Sequence, residues 1–411
     1  MAAISLDALD ELLVSKEFME DPYPLLRRLR QEDPVHWSDS IGGWVLTRYG
    51  DIVTTFKDVG HYSNEGRLAR AVEYLPAESR AKFQTFEDHY RQKSLIHSDP
   101  PDHTRLRGLI TKAFTPRVVE TMRPRIQGIT DELLDAVKPE GRMDVVKDLA
   151  IPLPVTVLAE IFGVPKPDLG LFKGWADDLL AFQGVNKPAI ELLERSQKAL
   201  LEIRAYLGGL IKQKRREPRQ DLLSALVAAE SEGGKLSETE LLYSCITLLV
   251  AGHETTTSLI GNGLYTLLSH PAQWQLLKHD PSLLTSAIEE MLRYESPVAR
   301  QPRLMKRDAE MGGKQLREGQ MVFQMLNAAN RDPDYFTDPD RFDIRRQKNP
   351  HLAFGLGVHF CVGATLARAE GAIVFSTLMA RLPEIRLVDE KPHWDLQKPN
   401  SRMMKILDVV F

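Results

Sequence analysis

The chain has 411 residues, 43% hydrophobic and 27% charged, a composition ordinary for a soluble globular protein with a sizeable core. Because no linker rich in Gly, Ser or Pro divides it, we expect one domain covering residues 1–411. Its 53 basic and 57 acidic side chains give a formal net charge of −4, which favours neither a nucleic acid nor a membrane as partner.

The N-terminal segment shows no pattern of export or membrane insertion. Met1–Asp7 lack a basic region followed by an apolar core, so we expect no signal peptide. No run of the chain approaches the roughly 20 apolar residues needed to span a bilayer. The two cysteines, Cys245 and Cys361, lie far apart in sequence, which fits a reducing compartment. We therefore predict a cytoplasmic protein without a membrane span.

The first hundred residues combine short helices with a small sheet. Leu25–Arg30 form a short amphipathic helical pattern. Val35–Trp37 and Trp44–Thr47 are predicted to pair as a hairpin across two glycines. Residues 60–94 mix aromatic and charged side chains without steady periodicity, and an irregular segment of this length is often functional.

A mainly helical region follows. A double proline precedes a helical pattern that places His103 and Arg107 four residues apart on one face. Taken alone, this pattern indicates a solvated basic helix. Residues 115–220 are predicted to be mostly helical, with prolines marking the turns. One apolar face in this region indicates core packing, and it comprises Leu171, Phe172, Trp175, Leu179 and Leu180.

The longest helical pattern begins at a capping box, Ser237–Glu240, and stops at a His-Pro pair. Near its middle, Gly252 and three successive threonines lower the helix propensity, so we expect a local opening or a kink there. Glu254 beside Thr255 has two interpretations. The carboxylate and hydroxyl relay protons through ordered water, or Glu254 forms a salt bridge and Thr255 bonds back to the preceding turn.

Two patterns in the C-terminal part concern the fold. Glu290 and Arg293 stand three residues apart on a predicted helix, where such a pair is normally a surface contact worth only tenths of a kcal/mol. Residues 314–320 and the strand 321–323 are predicted to form a hairpin. The chain from Pro383 alternates strands and turns.

The sequence FGLGVHFCVG, residues 354–363, carries the functional prediction. An apolar helical pattern follows it, so Cys361 meets the positive end of a helix dipole and free backbone N–H groups, which favour a thiolate. The glycines at 355, 357 and 363 permit close approach of a flat group. Phe354 can shield the sulfur from water.

The number of cysteines limits the kind of site. Structural zinc needs about four ligands, whereas Cys245 lies in a different helical stretch from Cys361. Zinc and iron–sulfur sites are therefore unfavourable. A single axial thiolate on haem iron remains.

The pattern F-G-x-G-x-H-x-C-x-G resembles the haem-binding loop of the cytochrome P450 monooxygenases, in particular the soluble bacterial kind. Further matches run from about Asp21 to the C-terminus: H-x-x-x-R from His103, A-G-x-E-T from Ala251 and E-x-x-R from Glu290. The resemblance implies a mainly α fold with a smaller β region. Haem would lie between the long central helix and the cysteine-loop helix.

The resemblance also implies roles for individual residues. Cys361 would be the iron ligand, and Glu254 and Thr255 the catalytic acid–alcohol pair. The cofactor-binding residues would be His103, Arg107, Ala251, Gly252, Arg303, Phe354, His359 and Gly363. The substrate pocket would include Leu248, Ala251, Val298, Ala299 and Ser401. A structural triad would comprise Glu290, Arg293 and Arg341.

The implied activity is oxidation, usually hydroxylation, of an apolar small molecule with O2 and haem b (iron protoporphyrin IX). Because the chain lacks a flavin fingerprint and an iron–sulfur cysteine set, two electrons must come from outside, ultimately from NAD(P)H. A ferredoxin with its ferredoxin reductase, or a flavodoxin, is the expected donor. Five basic residues flank the segments that would bind haem: Lys112, Arg117, Arg345, Arg346 and Arg368. They form either a docking face for an acidic electron donor or merely solvated surface charge.

Two other functions compete with this prediction. A peroxygenase would use peroxide on the same fold, but dedicated peroxide users of the family generally lack the Glu254–Thr255 pair. A haem-based gas sensor or carrier would need no acid–alcohol pair and would usually carry an output domain, for which the chain leaves no room.

Overall fold

The computed structural model describes residues 6–111, 114–231 and 236–411, and most of them lie in helices. In chain order the helices are α1 (Leu6–Leu12), α2 (Lys16–Glu20), α3 (Tyr23–Glu32), α4 (Tyr49–Lys57), α5 (Ala77–Ala81), α6 (Gln84–Arg91), α7 (Asp102–Ile110), α8 (Pro116–Val137), α9 (Pro152–Phe162), α10 (Leu169–Leu180), α11 (Ile190–Arg216), α12 (Leu222–Ser231), α13 (Glu238–Leu268), α14 (Pro271–His279), α15 (Leu284–Tyr294), α16 (Leu326–Ala329) and α17 (Ala364–Arg381). Short 3₁₀ helices lie at Ala69–Val72, Lys138–Glu140, Lys166–Asp168, Pro281–Leu283 and Gly357–His359. Val146–Ala150 form one turn of π-helix.

The β structure is small and comes from four parts of the chain, residues 35–63, 142–144, 300–325 and 386–410. Its strands are β1 (Val35–Ser38), β2 (Gly43–Leu46), β3 (Tyr62–Ser63), β4 (Arg142–Asp144), β5 (Arg300–Met305), β6 (Ala309–Met311), β7 (Lys314–Leu316), β8 (Met321–Met325), β9 (Arg386–Leu387), β10 (His393–Trp394), β11 (Met404–Ile406) and β12 (Asp408–Val410). One sheet has the order β1-β2-β8-β5-β3, and β5 within it borders the functional site. This mainly helical architecture with small sheets confirms the predicted fold class.

The two predicted hairpins have different outcomes. β1 and β2 pair antiparallel, with Val35 opposite Leu46, as predicted. The hairpin of residues 314–320 with 321–323 is wrong, because β7 pairs with β6 while β8 pairs with β5 and β2. The alternation of apolar residues located these strands, but it did not indicate which edges meet.

α13 is the central helix. Its capping box is present: the Ser237 hydroxyl accepts from the Glu240 N–H (3.1 Å), and the Glu240 carboxylate accepts from the Ser237 N–H (2.9 Å). The predicted opening is not seen, because α13 is continuous and the Thr255 hydroxyl donates to the Ala251 carbonyl (3.3 Å). Neither α13 nor any other helix in the described ranges is long and apolar enough to cross a membrane.

A buried ion network under the site corrects one prediction. Arg293 is 0% exposed and donates through Nε and Nη2 to Glu290 (both 2.8 Å). Arg346 Nε lies 3.0 Å from the same carboxylate. The side chain of Arg341 is 59% exposed, so its assignment to this triad is wrong and Arg346 takes its place. Arg341 follows a turn at Asp338, and only its carbonyl faces Arg293.

Candidate functional site

A cavity of about 360 Å³ lies between α13 and the loop that precedes α17. Such a volume is typical of a small-molecule site. Ala251 and Thr255, four residues apart on α13, lie on one wall, and Cys361 also borders the cavity. Ala251 is exposed although the residues around it on α13 are mostly buried, so this face of the helix is open to the cavity.

Cys361 is held by its own loop. Its N–H donates to the Phe354 carbonyl (2.9 Å), and its side chain is exposed on the cavity wall. The sulfur is accessible from the cavity but surrounded by protein, and this separation from bulk water raises the pKa of the Cys361 thiol, while the N–H groups of Gly363 and Ala364 act in the opposite direction. The predicted stabilisation of a thiolate by the helix start is therefore present, but the cost of burying charge exceeds it in the protein alone.

The three glycines of the loop differ in what requires the absence of a side chain. Gly355 (φ 68°) and Gly357 (φ 71°) both adopt the left-handed conformation. A Cβ on Gly357 would lie 2.8 Å from the carbonyl oxygen of Phe56, so this glycine lets the loop pack on α4. Gly363 borders the cavity, where a Cβ would meet only the Cys361 sulfur, at 4.0 Å. Of the three, only Gly363 is placed to admit a flat group.

Two other predicted cofactor contacts border the cavity in different ways. A Cβ on Gly252 would lie 2.8 Å from Leu158, so this glycine permits α13 to pack closely on α9. Phe354 lies on the cavity wall with the Arg368 guanidinium 4.4 Å from its ring centre. This contact holds the Phe354 ring on the cavity wall. Its role in shielding the sulfur from water stays a prediction.

Four nitrogen-bearing side chains lie on the cavity wall, and none of them forms a hydrogen bond to a carboxylate among the described residues. The nearest carboxylate is that of Asp99, whose Oδ1 lies 4.0 Å from His359 Nε2. Arg107 and Arg303 donate only to backbone carbonyls or a side-chain amide in the part of the chain that the structure describes. His103 and His359 stack with ring centres 4.1 Å apart, and buried ring nitrogens of both lack a hydrogen-bond partner among the described residues. Burial lowers the pKa of Arg303 to about 9 and that of His359 to about 3. A cofactor with two carboxylates, such as haem b, supplies the acceptors that this donor set needs.

Glu254 and Thr255 form the contacts of the second interpretation: Thr255 bonds back to Ala251, and Glu254 forms a salt bridge whose partner, Lys398, the sequence did not identify. Glu254 is buried, with its carboxylate 2.8 Å from Lys398 Nζ, and Lys398 also lies 3.1 Å from Asp177 on α10. Burial alone lowers the pKa of Lys398, but Glu254 and Asp177 outweigh it and raise that pKa above its ordinary value. A second cavity, of about 630 Å³, borders all three side chains. Glu254 therefore lies between two cavities.

The predicted substrate-pocket residues are brought together with one exception. Leu248, Ala251, Val298 and Ser401 all lie on the cavity wall. Ala299 does not, so its assignment is wrong. Ala299 is buried, and its N–H donates to the Asn400 carbonyl (2.9 Å), which ties this position to the loop around Asn400.

The irregular segment 60–94 also contributes to the cavity. Asn64, Arg67, His89 and Tyr90 lie on its wall, as expected for a segment covering the site. No periodicity in the sequence could have selected these four, because they come from short helices and turns. The segment thus supplies polar groups to a wall that is otherwise largely apolar.

The predicted basic docking face is only partly free. Arg117 is exposed, and Arg345 is largely exposed beside Asp343. Arg346 belongs to the Glu290 network, and Arg368 forms a bidentate ion pair with Glu289. Lys112 lies outside the described residues. Arg346 and Arg368 are therefore held by carboxylates of α15, whereas Arg345 lies in an exposed ion pair with Asp343.

The chain is similar to known proteins over nearly its whole length. A family model described as "Cytochrome P450" matches residues 172–404. The chain is 40% identical over 405 residues to cytochrome P450 CYP107DY1 of Priestia megaterium, covering 97% of this chain and 98% of that one. It is 42% identical to the monooxygenase PikC of Streptomyces venezuelae, covering 98% and 94%. The crystal structure of myxobacterial CYP267B1 in complex with myristic acid superposes with a TM-score of 0.88 at 40% identity, covering 97% and 98%.

Proposed function

The chain belongs to the cytochrome P450 family, and from this premise we propose that it oxidises an apolar small molecule with Cys361 as the iron ligand. Its enzyme class is P450 monooxygenase, which uses haem b, O2 and reducing equivalents from NAD(P)H. The observation that carries the residue assignment is the position of Cys361 on a cavity bordered by four nitrogen-bearing side chains that form no hydrogen bond to a carboxylate among the described residues.

The residues on the two cavities would have separate roles in binding the cofactor, delivering protons and excluding water. Haem, when bound, supplies reductive activation of O2, which a thiolate ligand promotes. His103, Arg107, Arg303 and His359 would hold its two carboxylates, and Phe354 would keep water from the sulfur. Glu254 would take protons from the second cavity and pass them to the Thr255 hydroxyl on the first. Apolar side chains would keep the substrate away from bulk water.

We expect Thr255→Ala to uncouple electron use from product. The variant removes the hydroxyl that lies one turn after Ala251 on the cavity wall, next to Glu254 in sequence, so proton delivery at that position is lost. The hydroxyl of Thr247, one turn before Ala251, remains. Product formed per NAD(P)H consumed should fall several-fold while haem content is unchanged. Thr255→Ser, which keeps a hydroxyl, is the control and should retain most of the coupling. Unchanged coupling in the alanine variant would count against the relay.

We expect Lys398→Met to shift the pH dependence of coupling upward. Without its cation, the buried carboxylate of Glu254 loses the contact that favours its charged form. The measurement is product per NAD(P)H across pH in both proteins. Lys173→Met is the matched control, because Lys173 also contacts Asp177 but is exposed and does not touch Glu254. Equal shifts in both variants would contradict a specific role for Lys398.

The remaining parts of the proposal concern substrate, donor and location. The largely apolar wall supports an apolar substrate. The compounds named for similar proteins differ among themselves, since one protein is a vitamin D(3) 25-hydroxylase and two solved structures hold testosterone and myristic acid. We propose a ferredoxin with its reductase, or a flavodoxin, as electron donor, and one domain over residues 1–411 acting in the cytoplasm. Reconstitution with ferredoxin, reductase and NADPH tests this directly. Turnover supported by peroxide but not by these proteins would favour a peroxygenase.

A further inference from the structure

The cavity wall has more positive than negative charge. Among the described residues on it, Glu254 is the one carboxylate, and Lys398 already neutralises it. Four arginines share the same wall: Arg67, Arg107, Arg300 and Arg303. On the proposed function, Arg107 and Arg303 serve the two carboxylates of haem. Arg67 and Arg300 then have no assigned role in cofactor binding.

Arg300 already has hydrogen-bond partners. Its Nε donates to the Asn400 side chain (2.9 Å), its Nη2 donates to the Gly184 carbonyl (2.7 Å), and the guanidinium lies 5.3 Å from the ring centre of Phe323. These contacts tie β5 to the loops around Gly184 and Asn400. Arg300 is therefore a structural residue at the cavity edge.

Arg67 differs from the other three arginines. It lies between β3 and the turn at Ala69–Val72, and its Nε is buried without a hydrogen-bond partner. No ion pair joins it to any residue in the described ranges. Its influence on the pKa values of Tyr90, His97 and Arg303 places it among these side chains, and none of them is an anion at neutral pH.

An unpaired guanidinium of this kind has an energetic consequence. Burial lowers the pKa of Arg67 to about 10, so the group stays charged at neutral pH. The Arg67 residue is half-buried, with its Nε shielded from solvent, and it borders the cavity. A charge withdrawn from water without a partner is unfavourable, and the carboxylate of a ligand would supply that partner. Arginine binds carboxylates through two parallel hydrogen bonds, and apolar residues such as Leu95, Leu179 and Ile246 on the same wall suit a hydrocarbon chain.

We infer that Arg67 anchors the carboxylate of the substrate, which is an apolar carboxylic acid. The inference rests on the proposed function, because it assigns Arg107 and Arg303 to the cofactor. The same chemistry has a second source, since a haem carboxylate could also pair with Arg67. The experiment must therefore separate a substrate carboxylate from a cofactor carboxylate.

The test uses the full-length, haem-loaded protein and two probes, dodecanoic acid and its methyl ester. Binding is followed by the change in the Soret band at pH 7.5. The parent protein should bind the acid at least tenfold more tightly than the ester. Arg67→Gln should reduce this preference to less than about threefold by weakening acid binding alone, and Arg67→Lys should retain part of it. Arg70→Gln, an exposed arginine paired with Glu73, is the matched control and should keep the full preference.

Two results would overturn the inference. The first is equal binding of acid and ester by the parent protein. The second is an Arg67→Gln variant that keeps the acid preference but releases haem to apomyoglobin faster, which would assign Arg67 to the cofactor. The carbonyl-complex spectrum of each sample reports separately on the proposed function. A parent protein with the thiolate-type spectrum but no acid preference contradicts the role of Arg67 alone.

Discussion

Replacing Cys361 with alanine is expected to abolish the red-shifted Soret band that a haem carbonyl complex shows with sulfur as the opposite ligand. Cys361 borders the cavity, whereas the other cysteine, Cys245, is fully buried in α13. Burial raises the pKa of Cys245 to about 12, so it stays a neutral thiol. No second thiolate in the chain can therefore replace Cys361, and the loss of the band should be complete.

The control is Cys245→Ala, which should keep the band and cost only packing energy. Difference spectra of the reduced carbonyl complexes, normalised to haem content, provide the measurement for both variants. Persistence of the sulfur-type band in Cys361→Ala would remove the basis of the iron-ligand assignment. A variant that binds no haem at all still supports a cofactor site at Cys361, and Cys361→His then tests whether another axial ligand restores haem without the band.

Replacing Arg293 with methionine is expected to produce the largest loss of stability. The substitution leaves the carboxylate of Glu290 buried beside Arg346 alone, and the carbonyls of Asn330, Pro339 and Arg341 lose a donor. Removal of one member of a buried ion pair costs about 3–5 kcal/mol. The denaturant midpoint, followed by helical circular dichroism, should fall accordingly, and haem should be lost at lower denaturant concentration.

Two other arginines of this region provide the controls. Arg346→Met should cost about 1–3 kcal/mol, because it leaves one buried carboxylate oxygen with fewer donors. Arg341→Met should change stability by no more than about 0.5 kcal/mol, because its side chain is solvated. If Arg341→Met destabilised the protein more than Arg346→Met, the network described above would be incorrect.

The sequence predicted the parts of the fold that depend on neighbouring residues. The hairpin of β1 and β2 follows from a two-glycine turn between apolar runs, and α13 starts where its capping box stands. The residues about Cys361 form a loop ending at a helix start, because glycines there adopt conformations that other residues disfavour. The predicted opening of α13 was wrong because threonine hydroxyls can bond to the preceding turn without breaking a helix.

Only the tertiary structure decided which distant groups meet. Three outcomes depend on a neighbour from another segment of the chain. They are the pairing of β8 with β5, the contact of Arg346 rather than Arg341 with Glu290, and the position of Ala299 off the cavity wall. The same holds for Lys398 beside Glu254 and for the unpaired Arg67. Local patterns act over a few residues, through turn geometry and helix periodicity. Burial and charge pairing depend on side chains brought together from the whole chain, so the sequence alone determined the cysteine loop and central helix, whereas folding decided their partners.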